Sequence, residues 1–324
     1  MKDAHGRNIE YLRISVTDRC NFRCVYCMPE RGMEWIPRPD LLSAAEIGSV
    51  VAQLAPLGLR RIRITGGEPT LRPDLCDAIA RIRAVPDIVD IAISTNGVKL
   101  EKMAEDLRRA GVDRVNISVD SLRSERIAAI ARRDLGLDPV RVIRAAIAAG
   151  FAPVKINTVV VRGVNDDEIG ALARLTADLP VHVRFIELMP VGDMSESGLD
   201  HVVPSDEVLR AASDALGSLL PDVGPAAGNG PARYYRAPGA AGTIGVISPM
   251  THTYCASCNR VRLTADGRLR TCLFGEHEVD LRSPLRDGLP LKPFVVRALA
   301  EKPLEHGLLQ LRTGGLRALS QTGG

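Results

Sequence analysis

Six short β-branched runs, each alternating apolar and polar residues and most followed by a helical pattern, constrain this chain more than any other feature. The runs lie at 11–16, 61–65, 88–94, 114–119, 154–161 and 182–188, with helix-like stretches near 44–55, 73–84, 99–110, 138–149 and 166–178. Ser43 and Glu46 are spaced as a capping box ahead of the first helix. Gly111 and Gly150 stand where helix C-terminal caps are expected. Strand and helix in repeated alternation predict a parallel sheet with helices outside, wound right-handed. Within the strands one set reads Leu12, Ile14, Val16, Ile62, Ile64, Ile91, Ile93, Val115 and Ile117. The other reads Arg13, Ser15, Arg63, Thr65, Ser94, Asn116, Ser118, Asp120, Lys155 and Asn157. Strand side chains alternate faces, so each strand turns an apolar side to the helices and a polar, often cationic side elsewhere. An open two-sided α/β sheet would want both faces apolar. Six strands are too few for the closed eight-stranded barrel. The expected fold is therefore α/β, an incomplete (β/α)6 TIM-like barrel whose lumen is the binding site.

After Leu188 the pattern changes. A loop at 190–200 precedes a helix at 205–219, a turn-rich linker at 224–231 and short strands at 233–236 and 243–248. A weak helical patch lies near 293–300. A domain change is placed near residue 220, dividing a partial barrel (1–220) from a smaller α+β part (221–324).

Composition excludes several classes. Forty-two basic and 39 acidic residues leave a charge of +3, too balanced for a nucleic-acid binder that works by bulk charge. Of the basic residues 36 are Arg and 6 Lys, a supply of always-charged, fork-shaped anion ligands. Residues 1–10 are polar, without the apolar core of a signal peptide. The longest nearly uncharged apolar run, 145–154, contains Gly150 and Pro153 and falls short of the ~18 residues a membrane span needs. The expected location is the cytoplasm, with no membrane partner. In that compartment the 7 cysteines read as metal ligands or catalytic groups rather than disulfides.

Cys20-Asn-Phe-Arg-Cys24-Val-Tyr-Cys27 sits in the loop after the first strand, at the carboxyl end of the sheet where ligands of α/β folds gather. Three thiolates on one short loop suit a soft metal or an iron–sulfur cluster, or a structural zinc site with a distant fourth ligand. Strand two runs into Gly66-Gly67-Glu68-Pro69, where paired glycines let main-chain groups approach a ligand closely. A second group, Cys255-Ala-Ser-Cys258, is followed by Asn259-Arg-Val-Arg262 and the hairpin signal Asp266-Gly267. Folding about that turn brings Cys272 opposite residues 260–261, beside Cys258. Here a zinc knuckle completed by His252 or His277 competes with a second cluster. Cys76 reads as a small buried residue.

The C-x3-C-x2-C loop, the aromatic Tyr26 before its third cysteine and the GGEP turn together resemble the radical S-adenosylmethionine superfamily. The second trio narrows the resemblance to the GTP 3′,8-cyclase family of molybdenum cofactor biosynthesis. The match runs through Tyr11 to Cys20, Arg63 to Pro69, Asn116 to Asp120, Val164-Asn-Asp166, Arg184 to Met189, Cys255 to Arg262, Cys272-Leu-Phe274 and a terminal Gly323-Gly324. The resemblance implies two [4Fe-4S] clusters, one on Cys20, Cys24 and Cys27 and one on Cys255, Cys258 and Cys272. It implies S-adenosylmethionine contacts at Tyr26, Gly67, Ser118 and Met189. GTP contacts fall on Arg13, Arg63, Ser94, Lys155, Arg260 and Arg262. Catalytic roles fall on Arg13, Arg260, Arg262 and the Gly323-Gly324 tail. As partners it implies cyclic pyranopterin monophosphate synthase downstream and a flavodoxin- or ferredoxin-type electron donor, and it leaves room for a homodimer. Ser94 stands where many relatives carry Thr, and Thr322 where Ile is common. Peptide-modifying radical enzymes also pair such a barrel with an auxiliary cluster domain but need no cationic lumen. A zinc-stabilised RNA-binding module is opposed by the small charge and by only 1 Trp, 5 Tyr and 5 Phe.

Overall fold

The computed structural model describes residues 1–189, 198–222, 230–275, 277–306, 317 and 319–322. Its spine is the expected alternation. Strands β1 (Tyr11–Ser15), β2 (Arg61–Thr65), β3 (Asp90–Thr95), β4 (Arg114–Ser118), β5 (Val154–Val160) and β6 (Val181–Glu187) pair in parallel in chain order. Between them run α1 (Ala44–Leu54), α2 (Leu75–Arg83), α3 (Leu100–Ala110), α4 (Ser124–Ala131), α5 (Pro139–Ala148) and α6 (Ile169–Asp178). The Ser43–Glu46 capping box closes on both sides, and Gly111 takes the left-handed conformation, φ 113°, that ends α3. Helix α4 was not expected. It has only 8 residues, no side-chain cap, and ends on Arg132 at φ 50° where a glycine would have signalled a stop.

The apolar strand set (Leu12, Ile14, Ile62, Ile64, Ile91, Ile93, Val115, Ile117) joins Ile47, Val50, Val51, Ile79, Leu107, Ile143 and Leu172 of the helices in one continuous core. Each such buried side chain contributes roughly 1.5–3 kcal/mol relative to exposure. The opposite, polar strand faces look into the lumen.

The second half of the chain does not stand apart from this sheet. It contributes α7 (Ser205–Leu216), β7 (Leu220–Pro221), β8 (Arg233–Arg236), β9 (Thr243–Ile247), β10 (Arg260–Leu263), β11 (Arg268–Arg270), β12 (Glu278–Asp280), α8 (Arg282–Arg286), α9 (Lys292–Ala300) and α10 (Leu319–Thr322). β9 pairs in parallel with β6, and β10 in parallel with β1. The sheet order is β12-β11-β10-β1-β2-β3-β4-β5-β6-β9-β8-β7. A run of parallel strands thus extends from β10 to β9, yet the ring stays open. Antiparallel β11 and β8 occupy the edges where β10 and β9 would have to meet.

Candidate active site at the lumen

The first cysteine loop is built by backbone contacts with its neighbours. After β1, Gly67 N donates to Thr17 O at 2.7 Å and Glu68 N to Arg19 O at 2.7 Å. A Cβ on Gly66 would lie 2.4 Å from Thr17 O, and one on Gly67 2.3 Å from Arg19 O. The paired glycines therefore make the close approach to the cysteine loop's own backbone, and Gly67 also borders the cavity. Buried Glu68 accepts from Thr70, from Thr95 Oγ1 at 2.7 Å and from Asn96 N at 2.7 Å, tying this turn to the end of β3. Helix α4 secures the other side, where its last carbonyls, Ile130 O and Ala131 O, accept from Val25 N and Arg23 N.

Cys20, Cys24 and Cys27 line one cavity of about 250 Å³ together with Tyr26, Gly67, Ser118, Met189, Ser94 and Arg13. The four residues expected to meet S-adenosylmethionine are thus all brought to the cysteine trio. Burial pushes the Cys20 thiol up to about 11 and, with Cys20 nearby, that of Cys27 up to about 12. Burial and the Cys27 thiol likewise raise Cys24 well above its ordinary value. A cation must supplant those protons, as a bound iron does when a coordinating thiol is deprotonated. Among the described residues the buried Ser94 Oγ has no hydrogen-bond partner, and Ser94 lines this space. Converging soft donors and an unsatisfied hydroxyl fit a cluster with a polar ligand beside it. Among the described residues no three Cys, His, Asp or Glu side chains are arranged to hold a single metal ion.

Tyr26 Oη donates to Asp120 Oδ2 at 2.5 Å, while Asp120 Oδ1 accepts from Val159 N at 2.9 Å. Burial lifts the Asp120 carboxyl to about 6 against these bonds. Asn96 Nδ2 similarly holds Asn21 Oδ1 at 2.8 Å within the cysteine loop. Asp120 appeared in the sequence only as one more polar-face residue; its pairing with Tyr26 joins positions 94 residues apart.

Register lays the cations in a row. Arg262 of β10, Arg13 of β1 and Arg63 of β2 stand side by side on the same face of three adjacent strands. Tyr11 Oη accepts from Arg63 Nε at 2.5 Å. A second row runs through Ser94, Asn116 and Lys155. Burial drives Lys155 down to about 5, aided by Arg184, Arg114 and Arg63. Burial and Arg260 lower Arg262 to about 10. Arg184, which the strand pattern alone did not single out as a lumen residue, donates to Asn157 Oδ1 at 2.9 Å and Asn116 Oδ1 at 2.7 Å. It has room because residue 245 is glycine, where a Cβ would meet Arg184 Cγ at 2.9 Å. Among the described residues no carboxylate pairs with Arg63, Lys155 or Arg184. Buried cations without counter-charges are costly unless an anion completes them.

At the second cysteine group the β10–β11 hairpin forms as expected, with Arg262 opposite Arg270 and Gly267 at φ 79°. Continuing that register places Cys272 opposite Arg260. Burial would raise the Cys258 thiol, but Arg260 and Lys302 bring it down to about 7. Burial lowers Arg260, yet the Cys258 thiolate, Tyr254 and Tyr11 together outweigh it and raise the guanidinium, which lies 4.9 Å over the Tyr254 ring. His277, one of the zinc alternatives, is exposed and paired with Glu301 at 2.8 Å. Cys76 packs against the main core.

Helix α10 connects the two cysteine groups. The Ser320 main chain hydrogen-bonds Cys27, Arg262 Nη1 donates to Thr322 O at 3.3 Å, and Leu319 packs with Met189 and Cys272 about Phe274. Contacts from Ser320 to Thr322 span only ~3 Å of helix axis. Helix α10 thus touches residues of both groups, although the cavity itself is lined by Cys20, Cys24, Cys27 and Arg13 and not by Cys255, Cys258, Cys272, Arg63, Lys155, Arg260 or Arg262. Gly323 and Gly324 lie outside the described residues.

The chain matches the Radical SAM superfamily model over residues 14–176 and the Molybdenum Cofactor Synthesis C model over residues 181–308. It is 47% identical to the GTP 3′,8-cyclase of Pelotomaculum thermopropionicum over 327 residues, covering 100% of both chains. It is 45% identical to the enzyme of the same name from Heliobacterium modesticaldum over 328 residues, again with 100% coverage of both. The crystal structure of Streptococcus suis SuiB bound to S-adenosylmethionine superposes with a TM-score of 0.66 at 12% identity, over 94% of this chain and 68% of that one, a likeness of fold alone. Cysteine spacing, lumen geometry and full-length similarity agree: the chain belongs to the GTP 3′,8-cyclase family of the radical S-adenosylmethionine superfamily.

Proposed function

We propose that this chain is a radical S-adenosylmethionine GTP 3′,8-cyclase, a lyase taking the first step of molybdenum cofactor biosynthesis. Cys20, Cys24 and Cys27 would hold one [4Fe-4S] cluster, which would bind S-adenosylmethionine, and Cys255, Cys258 and Cys272 would hold a second, which would bind the guanine. The first cluster and S-adenosylmethionine supply, when bound, the 5′-deoxyadenosyl radical that removes the ribose 3′ hydrogen, so that C3′ can join guanine C8. An electron and a proton then close the shell, which makes the (8S)-3′,8-cyclo-7,8-dihydroguanosine 5′-triphosphate product an isomer of GTP.

The chain's own work is placement. Arg13, Arg63, Lys155, Arg260 and Arg262 hold GTP through its triphosphate, and Ser94 adds a hydroxyl to the pocket. Tyr26, steadied by Asp120, and Gly67, Ser118 and Met189 seat S-adenosylmethionine. The lumen limits the access of water to the radical. Residues 1–220 generate the radical and 221–324 carry the second cluster, with Gly323 and Gly324 assisting the radical step. We assign the enzyme to the cytoplasm, with a flavodoxin- or ferredoxin-type electron donor and cyclic pyranopterin monophosphate synthase as the next enzyme. No helix among the described residues is long and apolar enough to cross a membrane.

The observation that carries this reading is the in-register row Arg262–Arg13–Arg63, which joins the strand that follows Cys258 to Arg13 at the cavity lined by the first cysteine trio. The test is anaerobic reconstitution followed by incubation with S-adenosylmethionine, GTP and dithionite. Chromatography should resolve a new nucleotide of GTP's mass alongside 5′-deoxyadenosine. 5′-Deoxyadenosine without that isomer would contradict it.

A further inference from the structure

Lys302 follows α9 and is 3% exposed, yet among the described residues it pairs with no carboxylate. An ammonium has three N–H groups, and three acceptors surround this one. Nζ donates to Arg260 O at 3.0 Å and to Thr271 O, and lies 3.7 Å from Cys258 Sγ. Arg260 is two residues after Cys258, and Thr271 immediately precedes Cys272, so one cation links both arms of the second cysteine group. The Lys302 backbone is held in turn by the chain's first residues. His5 Nε2 is 3.1 Å from Lys302 O. Arg7 donates to Pro303 O at 2.7 Å, Leu304 O at 3.0 Å and Cys255 O at 2.8 Å. Asp3 fixes Arg7 through an Nε–Oδ2 contact of 2.6 Å.

We propose that Lys302 is a positioning residue for the second iron–sulfur site, orienting the Cys258 sulfur and raising the reduction potential of the cluster, with Asp3 and Arg7 as the strap that keeps it there. The inference rests on the reading of Cys255, Cys258 and Cys272 as cluster ligands. Its physical basis is general. A hydrogen bond to a ligating thiolate, and a buried positive charge beside it, favour the more negative, reduced cluster. The strap matters because a lysine stem is flexible, and only a fixed backbone holds the ammonium at one sulfur.

The test uses full-length protein reconstituted as wild type, Lys302→Met, Lys302→Gln and Lys302→Arg. Iron is counted, and redox titrations are followed by electron paramagnetic resonance, with added S-adenosylmethionine marking the first cluster's signal. Lys302→Met and Lys302→Gln should shift the second cluster to lower potential, beyond the scatter of replicate titrations, and leave the first unmoved. Lys302→Arg, which keeps the charge, should bring the potential most of the way back to the wild-type value. Should Lys302→Met fail to retain its second cluster, Lys302→Gln, which keeps a donor without the charge, decides. A fully loaded Lys302→Gln protein with an unshifted second cluster overturns the inference. Wild-type protein holding about four irons and one signal would instead overturn the cluster assignment beneath it.

Discussion

The two cysteine groups share a count of three thiols and differ in almost everything around them. At the first, burial and mutual repulsion push every thiol upward, Cys20 to about 11 and Cys27 to about 12. The neighbours are main-chain groups, hydroxyls, amides and the Tyr26–Asp120 pair, with Arg23 held on the loop's own carbonyls and Arg13 at the cavity wall. At the second, Arg260 and Lys302 overcome burial and draw Cys258 down to about 7. Arg13, Arg63 and Arg262 continue that positive field along the lumen. A site for a sulfonium compound needs no surplus of cations; a site for a triphosphate bearing about four negative charges does. The contrast supports the proposed division, with radical generation at one end and nucleotide retention at the other.

Single substitutions should separate the two ends. The largest effect is expected from Cys24→Ala, which should abolish 5′-deoxyadenosine formation. Cys258→Ala and Arg262→Ala should still cleave S-adenosylmethionine but lose the cyclised nucleotide. Near-normal product from either of the latter would erase the distinction. Gly67→Ala comes next, because its Cβ would lie 2.3 Å from a fixed carbonyl of the cysteine loop. Iron should fall from about eight to about four per chain, with the second cluster retained; unchanged iron would show that the loop can yield.

Lys155 gives a pH-linked test. Its folded value of about 5 lies below the ordinary 10.5, so between those limits the unfolded chain binds the extra proton and stability rises with pH. An anion in the lumen reverses the cause. GTP binding near pH 7.5 should therefore take up close to one proton, measured by calorimetry in buffers of different ionisation heat. Lys155→Met should abolish that uptake and weaken GTP by roughly 10- to 100-fold, the worth of a charged hydrogen bond of about 1.5–3 kcal/mol. Uptake unchanged in Lys155→Met would place the proton elsewhere. The smallest effect is expected at Tyr26→Phe. Losing the bond to Asp120 costs about 1 kcal/mol, or roughly fivefold in the KM for S-adenosylmethionine, with GTP affinity unaltered.

Much of this was legible in the sequence because it is periodic or closely spaced. Alternation separated Leu12, Ile14 and Ile62 from Arg13 and Arg63, and the lumen follows that division. The cysteine trios showed themselves through short spacings and the Asp266-Gly267 turn. What stayed hidden has no local signature. Parallel pairing of β10 on β1 joins Tyr11 to Arg260 across the length of the chain, so the open sheet's edges could not be read from either segment. Helix α4 lacks caps and a terminal glycine. Arg7 and Lys302 are single cations whose partners lie 248 and 42 residues away. The paired glycines were recognised as a site of close approach, although the approaching group is the cysteine loop itself.

The central claim is that a nucleotide held by the second site lies within reach of a radical made at the first. GTP carrying deuterium at C3′ tests it most directly, with the 5′-deoxyadenosine formed in one turnover analysed by mass. The account predicts that this deoxyadenosine gains one deuterium while the cyclised nucleotide loses it. Unlabelled deoxyadenosine released together with fully deuterated GTP would contradict it.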